Sequence, residues 1–184
     1  MRVITGQLRG RTLHVPRTAA FRPTTDRVKE SLFSILVNVI DWESSSVCDL
    51  FAGSGNLGIE ALSRGAQRCC FVEQSRGSLA ILQRNITDFG ISERAHIVAG
   101  GVEAFLRKTT ERYSLILADP PYRYEKTQEL LDGIASILEP GGIAVLEHEG
   151  SLPTADTSLL HAFDRRDYGT TAVTFFRTSH GGLS

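Results

Sequence analysis

The sequence predicts an α/β fold in which a seven-stranded, mainly parallel sheet carries helices on both faces and closes in a C-terminal antiparallel β-hairpin. Three observations predict it. Five short apolar runs alternate with helix-length segments between Val47 and Glu147, the pattern of β-α units winding a parallel sheet. The runs are continuously apolar, as strands covered on both faces must be. Beyond the fifth, two β-prone segments follow with only a turn between them, which is how an antiparallel pair reads.

Taken in order, Arg2–Gly6 and Arg11–Pro16 flank a glycine-containing turn and predict an N-terminal β-hairpin. Pro16 and Pro23 punctuate a loop, and Thr24 or Thr25 can cap a helix over 26–40, where Val28, Leu32, Phe33, Ile35, Leu36 and Val39 recur at helical spacing. Val47–Phe51 is the first strand of the sheet, followed by a helix over 57–64. Cys69–Glu73 is the second, with a helix over 76–89, and His96–Val98 the third, with a helix over 102–108. Tyr113–Ala118 is the fourth, with a helix over 125–138, and Gly142–Glu147 the fifth. Leu159–Arg166 and Thr171–Arg177 form the closing hairpin about Tyr168-Gly169. The division expected is a hairpin extension over 1–23, one domain over 24–178, and a flexible tail over 179–184.

The chain has 184 residues, enough for one domain. With 41% hydrophobic and 22% charged residues and a net charge of -1, it is not a disordered polyelectrolyte. No apolar run reaches the ~18–20 residues that span a membrane, and Met1–Gly6 turns polar too early for a secretory leader. Cys48, Cys69 and Cys70 form neither a disulfide framework nor a zinc pattern. The five histidines, His14, His96, His148, His161 and His180, are scattered. These features predict buried thiols, no metal, and a soluble, cytoplasmic protein. The near-neutral charge is uneven: residues 1–30 hold seven basic against two acidic side chains, net +5, and the remainder is net -6. A basic arm on an acidic body suggests a polyanionic partner.

Gly53-Ser54-Gly55-Asn56-Leu57-Gly58 follows a strand and opens a helix, the context in which G-x-G-x-x-G binds a nucleotide-like ligand in a Rossmann-like fold. Glu73 ends the next strand, where a carboxylate accepts from both hydroxyls of a ribose. Two ligands compete, a dinucleotide and S-adenosylmethionine. Asp49, in the strand before the turn, would repel a pyrophosphate and favour a cation. That points to S-adenosylmethionine, and the chain is short for a dehydrogenase with its own substrate domain.

Asp119-Pro120-Pro121-Tyr122 closes the fourth strand. Ligands of open α/β sheets bind at the carboxyl ends of strands, so this turn faces the same crevice. The prolines stiffen it and remove two N–H donors, leaving the Asp119 carboxylate and the Pro120 carbonyl as acceptors beside an aromatic face. That set suits a planar exocyclic amine: two acceptors orient its N–H bonds while Tyr122 stacks on the attached base.

With those residues in view, Asp49–Gly58 and Asp119–Tyr122 resemble the class I S-adenosylmethionine-dependent methyltransferases that act on amino nitrogens. Arg2–Gly6 with Gly10–Leu13, Arg22–Phe33, and Asp49–Ala66 narrow the resemblance to the RsmD family, over the chain to about Arg177. The resemblance implies methylation of the N2 amino group of a guanine in 16S ribosomal RNA, in the loop of helix 31, with a small subunit or its assembly intermediate as partner and the enzyme a monomer. It implies catalytic roles for Asp119, Pro120, Pro121 and Tyr122. Cofactor contacts are expected from Asp49, Phe51, Ala52, Gly53, Ser54, Gly55, Leu57, Gly58, Glu73, Gln74, Gly101, Val102 and Asp119. Phosphate contacts fall to Arg9, Arg11, Arg17, Arg22 and Arg27. Asn56 stands where the family has a small residue, and Gly101 where many members hold the adenine amine with Asp or Asn. A DNA adenine-N6 or protein glutamine-N5 methyltransferase would share the amine chemistry.

Overall fold

The computed structural model describes residues 1–16, 26–121, 124–150, 157 and 159–178. The expected loop about Pro23, the caps Thr24 and Thr25, Arg17, Arg22, Tyr122 and the tail lie outside the described residues. The elements run α1 (Asp26–Leu36), β1 (Ser46–Leu50), α2 (Asn56–Ser63), β2 (Arg68–Glu73), α3 (Arg76–Phe89), β3 (Ala95–Ala99), α4 (Val102–Lys108), β4 (Tyr113–Ala118), α5 (Thr127–Ile137), β5 (Leu138–Glu149), β6 (Leu160–Tyr168) and β7 (Thr171–Thr178). One sheet holds all seven strands in the order β3-β2-β1-β4-β5-β7-β6. The first five are parallel, and β7 runs antiparallel between β5 and β6.

Period-two alternation sends successive β1 side chains to opposite faces. Val47 joins Phe71 and Leu115 under Leu32 and Phe33 of α1, Ile59 and Leu62 of α2, and Leu82 of α3. Cys48 and Leu50 join Ile116 and Leu146 under Val102 of α4 and Leu130 and Ile134 of α5. The three thiols are free and buried.

Three expectations are corrected. β3 is an edge strand and only half-buried, because α3 and α4 cover it incompletely. α1 stops at Leu36 rather than near 40; the chain tightens with Asn38 N–H donating to the Ile35 carbonyl and leaves Val37 and Val39 exposed. The N-terminal hairpin is pared to one antiparallel bridge, Arg2 to Thr12, with Val3 and Gly10–Arg11 exchanging backbone bonds. What holds this arm is the body of the protein. Val3, Leu8 and Leu13 are buried in the same cluster as α1, α2 and α3.

Candidate active site

β1 and β4 are neighbours whose connections leave toward opposite sides of the sheet, so their carboxyl ends diverge and open a crevice. A cavity of about 340 Å³ occupies it, within the range of small-ligand sites. Asp49, Phe51, Ala52, Gly53, Ser54 and Leu57 line one wall. Glu73, Gln74 and Val102 line a second, and Asp119, Pro120 and Pro121 a third. Thus turns far apart in sequence face one volume.

The glycine turn is shaped by its glycines and held by acids. Phe51 has φ 60, an uncommon conformation for a large side chain, and Gly53 and Gly55 have φ 56 and 87. Such strain persists where the surroundings enforce it. Here Glu73 accepts from Gly53 N–H at 2.8 Å and from Ser75 N–H at 2.6 Å, and Asp49 accepts from Gly58 N–H at 2.8 Å. Gly55 and Gly58, expected at the cofactor, are not part of the cavity wall. A Cβ on Gly58 would fall 2.3 Å from Phe71 Cε1, and one on Gly55 2.6 Å from Leu82 Cδ1. Gly58 lets α2 pack closely on β2, and Gly55 lets Leu82 of α3 approach the start of α2. Gly101 is likewise off the wall, at the start of α4, and Gly100 lines the cavity in its place. A Cβ on Gly101 would meet Gln74 Oε1 at 3.5 Å and Glu103 Oε2 at 3.6 Å, ordinary contacts that leave room for a side chain.

Electrostatically the site is acidic. Asp49 is 2% exposed. Burial pushes its carboxyl up to about 7; Glu73 adds to the rise, and the Gly58 N–H opposes it. His148 also lines the cavity, but its ring is committed: Nδ1 bonds the Glu149 carbonyl at 2.7 Å and Nε2 meets Thr174 Oγ1 at 2.8 Å. Desolvation lowers its pKa, which keeps it neutral.

Several residues here escaped the sequence reading. Tyr124 lines the cavity, stacks edge-on against Phe51 at 5.4 Å, and donates to Glu103 at 2.9 Å. Glu60 is fully buried in α2 and accepts from Ile4 N–H, Thr5 N–H and Arg64 Nε, with Lys29 Nζ 3.5 Å away. Asn85, buried in α3, donates to both the Ser54 and His14 carbonyls and accepts from His14 N–H. These two residues fasten the arm to the helix and turn that frame the cavity. A signal for Glu60 was available: a lone acid amid Leu57, Ile59, Ala61 and Leu62 must be buried and paired.

The basic residues of the first thirty divide by fate. Arg9 and Arg27 are exposed. Arg11 lies over the Phe89 ring at 4.5 Å and donates to the Asp88 and Phe89 carbonyls, clamping the arm to α3. Lys29 is completely buried and cannot face a partner.

A family profile described as Conserved hypothetical protein 95 matches residues 1–177. Ribosomal RNA small subunit methyltransferase D of Escherichia coli is 38% identical over 158 residues, covering 84% of this chain and 78% of the relative. The chain belongs to the RsmD family of methyltransferases. As an RsmD-family chain it matches YlbH of Bacillus subtilis at 35% identity, over 96% of its own length and 98% of the relative's. The solved structure of yhhF from Escherichia coli superposes with a TM-score of 0.85 at 31% identity, covering 97% of this chain and 98% of that one. Among the described residues, no helix is long and apolar enough to cross a membrane, and no three of His, Cys, Asp and Glu are grouped to hold a metal.

Proposed function

We propose that this protein transfers a methyl group from S-adenosylmethionine to the exocyclic N2 amine of a guanine in 16S ribosomal RNA, in the helix 31 loop. One observation carries the reading: the glycine turn, Glu73 and the Asp119-Pro120-Pro121 turn open on a single acidic cavity. The small-subunit relative from Escherichia coli supports the RNA class.

The cavity fits the cofactor's chemistry. Asp49, Glu73 and Asp119 suit a ligand carrying a sulfonium and an ammonium, and Leu57, Val72 and Val102 flank space for a heteroaromatic ring. A phosphate would be repelled by Asp49, Glu73, Asp119, Glu147 and Glu149, with no lysine or arginine on the described wall to offset them. When bound, the cofactor supplies an electrophilic methyl group. Glu73 has lone pairs left, after Gly53 and Ser75, for the ribose hydroxyls.

On the substrate side, the Asp119 carboxylate and the Pro120 carbonyl accept the two N–H bonds of the guanine amine and aim its nitrogen. Pro121 keeps the turn stiff, and Tyr122 stacks on the base. The base is flipped from its loop to reach the turn. A methyl group supplied by the bound cofactor would go to the nitrogen that Asp119 and the Pro120 carbonyl hold, the cofactor leaving as the neutral thioether and one amine proton passing to solvent. Arg9 and Arg27, with Arg17 and Arg22, hold phosphates, and Arg11 contributes chiefly by fixing the arm. Residues 1–23 are the RNA-engaging extension of a catalytic domain over 24–178. The enzyme acts as a cytoplasmic monomer on the small subunit or its assembly intermediate.

The test is Asp119→Ala. Methyl transfer should be abolished while S-adenosylhomocysteine, which lacks the sulfonium charge, still binds measurably by calorimetry, held by Asp49, Glu73 and the glycine turn. Full transfer in that variant would end this mechanism.

A further inference from the structure

We infer that Asn56, oriented by the buried Lys29, binds the carboxylate of the cofactor's amino-acid group, an inference that rests on the S-adenosylmethionine reading above. Lys29 reaches in from α1 and is fully buried. Its Nζ donates to Asn56 Oδ1 at 2.7 Å and to the Arg2 carbonyl at 2.7 Å. An ammonium has only donors. The Asn56 amide is therefore turned with Oδ1 toward Lys29, which settles the choice of flip that heavy-atom positions leave open. Its Nδ2 points the other way.

That Nδ2 has no hydrogen-bond partner among the described residues, and neither has Ser54 Oγ. Asn56 is 9% exposed and Ser54 1%, and both line the cavity. Two enclosed donors left unmet are costly unless something completes them. They lie in the turn and first residue of α2, where the helix dipole and Lys29 favour negative charge. Elsewhere the wall presents the acids Asp49, Glu73, Asp119, Glu147 and Glu149. The cavity thus has an acidic part and a donor-rich corner at Ser54 and Asn56, where both donors are buried and unmet. S-adenosylmethionine carries two positive groups and a single negative one, its carboxylate. The donor-rich corner matches that group alone, and the acids match the rest.

The experiment is calorimetric titration of the wild type, Asn56→Ala and Asn56→Ser with S-adenosylmethionine and with decarboxylated S-adenosylmethionine. Asn56→Ala should lose about tenfold or more in affinity for the intact cofactor, the size of one hydrogen bond to a charged group. Its affinity for the decarboxylated compound should stay within about twofold of wild type. Asn56→Ser, which keeps a shorter donor, should fall between. Thermal unfolding without ligand checks that both variants are folded. Equal losses for the two ligands, or no loss for either, would overturn the assignment. A folded wild type that binds neither compound would instead overturn the cofactor reading on which it stands.

Discussion

Replacing Asp49 with asparagine should make the unliganded protein more stable as pH rises, while weakening its hold on a cationic cofactor. The wild-type carboxyl titrates near 7 in the fold, against 3.8 for an ordinary aspartate. A folded-state pKa above the unfolded one means that stability falls as pH rises, from the unfolded pKa until the folded group has ionised. At 1.36 kcal/mol per unit, the ionised side chain costs on the order of 4 kcal/mol above about pH 7. Asparagine keeps an acceptor for Gly58 N–H, which Asp49 engages at 2.8 Å, and has no charge to desolvate. Its amide hydrogens bring a penalty of about 1–3 kcal/mol if unmet, but that penalty is independent of pH. The stability difference between variant and wild type should therefore grow by about 2 kcal/mol between about pH 5.5 and 8.5. For a chain of this size that is about 4–8 °C in Tm. Circular dichroism melts across that range measure it, with calorimetry of S-adenosylmethionine in parallel. Wild-type affinity should rise through pH 7, and the variant's should be flat. A constant or shrinking difference in Tm would refute the claim that Asp49 is a buried, charge-averse carboxyl waiting for a cation.

Glu60→Gln should destabilise by about 3–5 kcal/mol, because Lys29 keeps its buried charge without the partner 3.5 Å away; a Tm drop on the order of 10 °C and faster proteolysis within residues 1–16 would show it. Arg9→Glu should leave the melt unchanged and weaken binding to small-subunit particles, with the salt dependence shallower by about one unit of slope. Binding unchanged at every salt concentration would leave the arm with a structural role only.

The fold was legible because its cues are local and repeated. Five apolar runs with helices between them leave few topologies, and most strand bounds shift by only a residue or two, as at Arg68–Glu73 and Ala95–Ala99, though β5 begins at Leu138 rather than Gly142. The burial of β3 was misjudged because apolar composition tells what can be buried, not whether a strand lies at an edge. The turns that line the cavity were legible because Asp49, Glu73 and Asp119 each lie at or within a residue of the carboxyl end of a strand, and strand ends converge at a switch point. The division of labour among the glycines was not. Whether Gly58 meets a ligand or Phe71 depends on the distance between α2 and β2, which no spacing encodes.

The basic arm shows the same limit. Counting charges over residues 1–30 treats Lys29 and Arg11 like Arg9. The fold buries the first against Glu60 and Asn56 and lays the second on Phe89. Linear charge marks residues 1–30 as basic, but only packing says which of those cations remain exposed.

The central claim is methyl transfer to a guanine amine in small-subunit RNA, and labelled product tests it most directly. Tritiated S-adenosylmethionine is incubated with small-subunit particles lacking the modification, naked 16S RNA, DNA and protein, and the labelled product is digested to its components. The account predicts label in N2-methylguanosine from 16S RNA, lost with Asp119→Ala. Label in N6-methyladenine or N5-methylglutamine, or in another nucleoside, would contradict it.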